Sequence, residues 1–192
     1  MNWNKPCRTG LLFLMVLMTG CASTLDTGRD DTASGSAIPS EFLGRFQQAV
    51  ALMEDDPDQA RRALTTLHRE RPELTGPLVN LCVLDFRAGE TAAARTCFEK
   101  VLARDPEQPD ALNHLGVLAR QDGEFGQAED YYRQALTADP EHRPSIRNLG
   151  ILLDLYQGRH QEALDLYQQY QALLPEPDPM VAQWVADLKN RL

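Results

Sequence analysis

Apolar residues in the last three-quarters of the chain recur every three or four positions, in short stretches punctuated by Gly, Pro and Asp. That spacing predicts amphipathic helices joined by tight turns. One stretch reads Leu112-x-x-Leu115-Gly116, then Ala128, Tyr132, Ala135 and Pro140. Thirty-four residues earlier the same roles fall to Leu78, Leu81, Cys82, Ala94, Phe98, Val101 and Pro106. Further on, with one inserted residue, they fall to Ile146, Leu149, Gly150, Ala163, Tyr167, Tyr170 and Pro175. Each period predicts two antiparallel helices. Gly89, Gly123 and Gly158 stand where the first helix stops and the chain reverses. The proline ends the second helix, and Asp-Pro-Glu at 105–107 and 139–141 is turn chemistry.

This pattern resembles the tetratricopeptide repeat (TPR). The resemblance implies an all-α solenoid in which the small residue (Cys82, Gly116, Gly150) faces the Ala of the second helix (Ala94, Ala128, Ala163), and the aromatic fills the wedge between units. Three clear repeats span 75–108, 109–142 and 143–177, and a degenerate copy spans 41–74. The copy keeps Ala60, Leu64, Leu67 and Pro72, but has Gly44, Gln47 and Gln48 where apolar and small residues are expected. Its first helix carries the stripe Phe42, Phe46, Val50 and Met53, with Ser40 as cap, and Asp56-Pro57 opens the next helix. Residues 178–192 read as a capping helix with Met180, Val181, Trp184, Val185 and Leu188 on one side. Solenoid ends need such polar-backed caps.

The N-terminus has a different character. Lys5 and Arg8 precede an apolar run from Leu11 to Met18, too short to span a bilayer and of signal-peptide length. Met18-Thr19-Gly20-Cys21 resembles a bacterial lipobox, although Leu is commoner where Met18 stands. That resemblance implies removal of 1–20, acylation of Cys21 with palmitate among its chains, and, with Ala22 next, sorting to the outer membrane rather than the inner. An ordinary signal peptide ahead of a chance cysteine is the alternative. Residues 22–38 are small and polar and are expected to form a disordered tether within 21–40, with a root-mean-square reach of roughly 25 Å.

Charge narrows the partners. The net charge is −9, and losing Lys5 and Arg8 with residues 1–20 leaves 17 basic against 28 acidic side chains, a net of −11. Such a chain repels phosphate backbones, so no nucleic-acid partner is expected. Anionic headgroups repel it too, so membrane attachment must come through the N-terminal lipid. No catalytic arrangement stands out. His68, His114, His142 and His160 lack metal-pair spacing and read as surface or loop residues, and there is no phosphate loop or nucleophile elbow. The expectation is a protein that is not an enzyme and needs no cofactor or metal.

Two cysteines remain besides Cys21 and Cys7. Cys82 and Cys97 sit on partner helices of one repeat, in a compartment where thiols oxidise; a disulfide and two buried free thiols are both open. The resemblance places the first helices along a concave groove. There the candidate binding residues are Val79, Asn80, Val83, Phe86 and Arg87, then Asn113, His114, Val117, Arg120 and Gln121, then Arg147, Asn148, Ile151 and Asp154. Asn can bond a peptide backbone and Arg can pair with carboxylates. The chaperone-binding carboxylate clamp is incomplete. Lipobox, tether and stacked repeats together resemble type IV pilus pilotins and related bacterial envelope TPR lipoproteins, although those pilotins carry six repeats. The function expected is an envelope scaffold facing the periplasm that binds protein or peptide segments, for instance in pilus assembly. The alternative is an accessory of a cell-wall hydrolase or other envelope enzyme.

Overall fold

The structure, a computed structural model, describes residues 37–192. The signal peptide and tether expected from the sequence, with Cys21 between them, fall on residues 1–36 and lie outside the described residues. Among the described residues there are nine α-helices and no strand: α1 (Ser40–Asp55), α2 (Pro57–Glu70), α3 (Thr75–Arg87), α4 (Thr91–Leu102), α5 (Pro109–Gln121), α6 (Phe125–Ala138), α7 (Arg143–Leu155), α8 (His160–Ala172) and α9 (Pro179–Arg191). None is long and apolar enough to cross a membrane. Each helix packs on its neighbours in sequence, and the first helices also touch, α1 on α3 and α5 on α7. This nearest-neighbour packing is that of a solenoid, with the first helices on the inner side of the curve.

Local chemistry sets the ends. The Asp56 carboxylate accepts from the Gln59 N–H at 2.9 Å, and Asp178 accepts from Met180 and Val181 at 2.9 and 3.2 Å. Asp139 accepts from the Glu141 N–H at 3.0 Å in the turn after α6. Gly89, Gly123 and Gly158 have φ of 78°, 80° and 67°, and a side chain there would meet nothing within 4 Å. Left-handed backbone, not space, selects glycine at these reversals. Ser40 is not the cap of α1: Pro39 holds that place and no side chain bonds the helix end.

The core is a chain of apolar clusters between adjacent helices. Ala60, Leu64 and Leu67 pack with α1; Ala94, Phe98 and Val101 join α3 to α5; Ala128, Tyr132, Ala163 and Tyr167 join α5 through α9. Gly116 and Gly150 each lie closest to the aromatic ring of their own repeat. A Cβ on Gly116 would lie 2.6 Å from the Tyr132 ring, and one on Gly150 2.7 Å from the Tyr167 ring. The degenerate repeat is displaced by one residue. Asp56 alone joins α1 to α2, whereas 88–90, 122–124 and 156–159 join the later pairs. Ala49, 1% exposed, therefore takes the inward small position, and Val50 turns to solvent at 38%. On α9, Val181 and Leu188 are buried, but Met180 is 55% exposed.

Charged side chains tie each second helix to the next repeat. Arg61 reaches Asp85 at 2.6 Å, and Arg95 reaches Asp122 at 2.5 Å. Thirty-four residues further on the sign inverts: Glu129 accepts from Arg159 at 2.7 Å and Gln157 at 3.0 Å, besides Arg133 of its own helix at 2.9 Å. Burial alone would raise the pKa of Glu129, but these hydrogen bonds bring it down to about 2.

Candidate protein-binding face

Counted in 34-residue columns, the candidate groove residues do not repeat by type. Val79, Asn113 and Arg147 share one column; Asn80, His114 and Asn148 share the next; Phe86, Arg120 and Asp154 share a third. The structure separates them accordingly. Val79 and Asn113 are each 4% exposed, so both belong to the interior rather than to an open surface. Asn113 accepts a 2.9 Å hydrogen bond from Asn148, which fastens α5 to α7. Asn80 donates to the Gly76 carbonyl of its own helix at 2.9 Å. Val83, Phe86, Val117 and Ile151 are half-buried, and Gln121 is exposed.

The three arginines are not one cluster. Arg87 pairs with Glu54 at 2.8 Å. The Arg120 guanidinium lies 5.6 Å from the Tyr156 ring centre and donates to its hydroxyl at 3.4 Å. Arg147 lies 5.7 Å from the centre of the Trp184 ring. Each belongs to a different junction, because each is directed by a helix far away in sequence.

His114 and His142 are packing residues, whereas the His160 side chain is 36% exposed. His114 stacks on Phe98 at 4.9 Å and tilts against Phe86 at 5.1 Å, and burial pushes its pKa down. His142 is buried between the Ser145 hydroxyl, 2.8 Å from Nδ1, and the Asp110 carboxylate, 3.2 Å from Nε2. The His142 contact is the main cause holding the Asp110 pKa below the ordinary value. Ser, His and Asp thus stand in line, but Ser145 is 0% exposed and no substrate can reach it. The trio joins the start of α5 to the start of α7. At the other end of α7, the buried Asp154 contacts His160 at 3.2 Å and Arg191 of α9 at 3.3 Å. Burial first, and Asp154 second, raise the pKa of neighbouring Tyr167.

Cys82 and Cys97 are joined by a disulfide between α3 and α4, with Cα atoms 5.4 Å apart. Cys82 stands where Gly116 and Gly150 stand in the later repeats, and it is fully buried.

Two cavities open beside α7, one bounded by α8 and the other by α8 and α9. A cavity of about 290 Å³ is lined by Arg143, Pro144, Arg147, Asn148 and Tyr170. Beyond the Trp184 ring, a second of about 220 Å³ is lined by Ile151, Asp154, Leu155, Tyr167, Trp184, Asp187 and Arg191. Arg143, Trp184, Leu155 and Arg191 were not among the groove residues read from the sequence. The likeness of α9 to a further first helix, with Trp184 thirty-five residues after Leu149, was the signal for the second wall.

The fold and this inner face define a solenoid of TPR-type helical hairpins. Residues 84–143 match the family described as "Tetratricopeptide repeat". No curated protein matches the chain by sequence. Among solved structures, PilF of Pseudomonas aeruginosa is similar at 22% identity, covering 78% of this chain and 68% of its own, with a TM-score of 0.66. TTC0263, a thermophilic TPR protein of Thermus thermophilus, is 19% identical over 78% of this chain and 82% of its own, with a TM-score of 0.62. MamA from Desulfovibrio magneticus RS-1 is 19% identical over 81% and 87%, with a TM-score of 0.58. At these identities the likeness is one of fold.

Proposed function

We propose that the chain is a non-enzymatic adaptor of a bacterial envelope, holding a segment of another protein on the inner face of its solenoid. The single observation that carries this is the pair of cavities along α7, a first helix, one bounded by α8 and the other by α8 and α9. TPR solenoids serve in general as protein-binding scaffolds. The residues before Ile38 add the address: the lipobox-like Met18-Thr19-Gly20-Cys21 supports a lipid anchor on Cys21 in the outer membrane, with the repeats in the periplasm. The sequence layout and the fold likeness to PilF support a role in assembling a pilus or another envelope complex.

A photo-crosslinking amino acid tests the face. Gln121 and Leu155 carry it on the inner side, and Lys100 and Asp130 on the second helices, all of them exposed. Both inner positions are expected to capture the same envelope protein in cells, and the outer positions not. Capture from the outer positions alone would overturn the assignment.

A further inference from the structure

In this acidic chain, eight of the described arginines pair with a carboxylate: Arg45, Arg61, Arg71, Arg87, Arg95, Arg133, Arg159 and Arg191. Arg143 and Arg147 have no ion pair among the described residues, yet they stand one helical turn apart on α7 and line the same cavity. Side chains four apart on a helix share one face. The Arg147 guanidinium rests over Trp184, and its Nε is buried without a hydrogen-bond partner. The Nε is covered, so a ligand acceptor in the cavity would meet the terminal N–H groups of the guanidinium instead. Beside them the Asn148 amide gives one N–H to Asn113 and the Tyr170 hydroxyl donates to Asp178 at 3.4 Å, so the two guanidinium groups are the cationic donors of the cavity.

Trp184 is shared. Its ring carries the guanidinium of Arg147, which lines the first cavity, and itself lines the second, with Ile151, Leu155 and Tyr167. Leu155 is 69% exposed, so apolar surface is on offer there. Asp187 at the rim pairs with Arg191 at 3.0 Å, and Arg191 also reaches Asp154 at 3.3 Å, so the charged groups of that cavity are engaged with one another.

We infer that this junction is a two-part recognition site for a partner segment in which an acidic side chain is followed closely by a large apolar one. The carboxylate takes the guanidinium donors of Arg143 and Arg147, and the apolar side chain enters beside Trp184. Planar guanidinium groups match a carboxylate with two parallel hydrogen bonds. Charge complementarity fixes the partner: an acidic protein that leaves two arginines unpaired in one cavity is complementary to an acidic segment. The inference rests on the inner-face reading above and narrows it to one end of the groove.

The probes are blocked hexapeptides in a Gly/Ser context carrying Glu-Leu, Gln-Leu, Glu-Ser or phosphoserine-Leu. They are titrated into the full 192-residue chain and followed at the Trp184 indole N–H by NMR, assigned with Trp3→Phe. The Glu-Leu peptide is expected to shift that signal saturably and to bind at least fivefold more tightly than the Gln-Leu or Glu-Ser peptides. Arg143→Gln, which leaves the Arg147–Trp184 stack intact, and Arg147→Gln are each expected to remove that preference for Glu while leaving the weak Gln-Leu binding in place. Equal binding of all the peptides, or no saturable shift, overturns the site. Tighter binding of phosphoserine-Leu would assign it to a phosphoryl group instead and overturn the carboxylate. A dimer of the chain that dissociates in Arg143→Gln would make a second copy the occupant, and overturns the partner assignment. If inner-face crosslinks persist undiminished in Arg143→Gln/Arg147→Gln, this site falls while the groove stands; if crosslinks come from Lys100 and Asp130, the groove falls too.

Discussion

The ring of Tyr132 occupies the space that a side chain on Gly116 would need, since a Cβ there would come within 2.6 Å of the ring. Gly150 and Tyr167 repeat the relationship at 2.7 Å. Both rings are buried and cannot retreat without displacing the next helix. Gly150→Ala and Gly116→Ala are therefore expected to destabilise the fold by about 1–3 kcal/mol through overpacking. Gly44→Ala is the contrast. Nothing lies within 4 Å of its Cβ position inside α1, so alanine should stabilise by roughly 0.5–1 kcal/mol through helix propensity. Thermal melts of the three variants check both signs.

In the second repeat a covalent bond stands at that same small-residue position. Cys82 and Cys97 close a loop with a sequence separation of 15. A loop of that size is worth about 3 kcal/mol in the chain-entropy account. Reduction, or Cys82→Ala with Cys97→Ala, should lower the melting temperature by about 6–12 °C for a domain of this size. Thiol titration of the unfolded, unreduced protein should find neither cysteine free, and two reactive thiols from this pair would contradict the structure.

Acid should act through Glu129. Its pKa falls from the ordinary 4.5 to about 2 in the folded protein. A depressed carboxylate contributes stability that is complete above the unfolded pKa and is lost as pH falls toward the folded one. Glu129→Gln should accordingly cost about 1–2 kcal/mol at neutral pH, and the deficit should shrink between pH 4.5 and 2. The difference between the denaturation curves of the two proteins reports Glu129 together with Glu162, which shares Arg133 and Arg159 with it.

Anchoring is read at one residue. If the lipid proposed on Cys21 anchors the chain, Cys21→Ser is expected to move the protein from the membrane fraction to the soluble one. Metabolic labelling with palmitate should disappear in the same variant. Retention in detergent-free membranes would refute the lipid.

The helical pairs were legible because their packing needs recur in register: a small residue, an alanine and an aromatic leave the same imprint each time the chain turns back. The first pair was harder. Its turn is shorter, so Ala49 does the work sought at Gln48, and a fixed 34-residue count misplaces it by one. The binding face was legible as a helix face but not residue by residue. Asn80, Asn113 and Asn148 look alike in one dimension. Asn113 falls in the column of Val79 and is buried, while Asn148 falls one column over and bonds to it. The partners of Arg87, Arg120 and Arg147 are Glu54 on α1, Tyr156 in the turn after α7 and Trp184 on α9, and only the stacking of the helices brings them together. Arg143 stood unread because its significance is the lack of a carboxylate neighbour, which no local pattern announces.

The inversion of sign along the column Arg61, Arg95, Glu129 makes the units of this stack non-interchangeable. Splicing out residues 109–142 would leave the small, alanine and aromatic positions in step and should look harmless by pattern. It would also set Arg95 against the turn containing Tyr156 and Arg159, in place of Asp122. Like charges would then meet at the new seam. The same mismatch penalises a slipped or exchanged pairing in which the fourth hairpin of one molecule docks on the second hairpin of another. Polarity of charge thus acts as an index of order, so that nearly identical modules assemble in one sequence only.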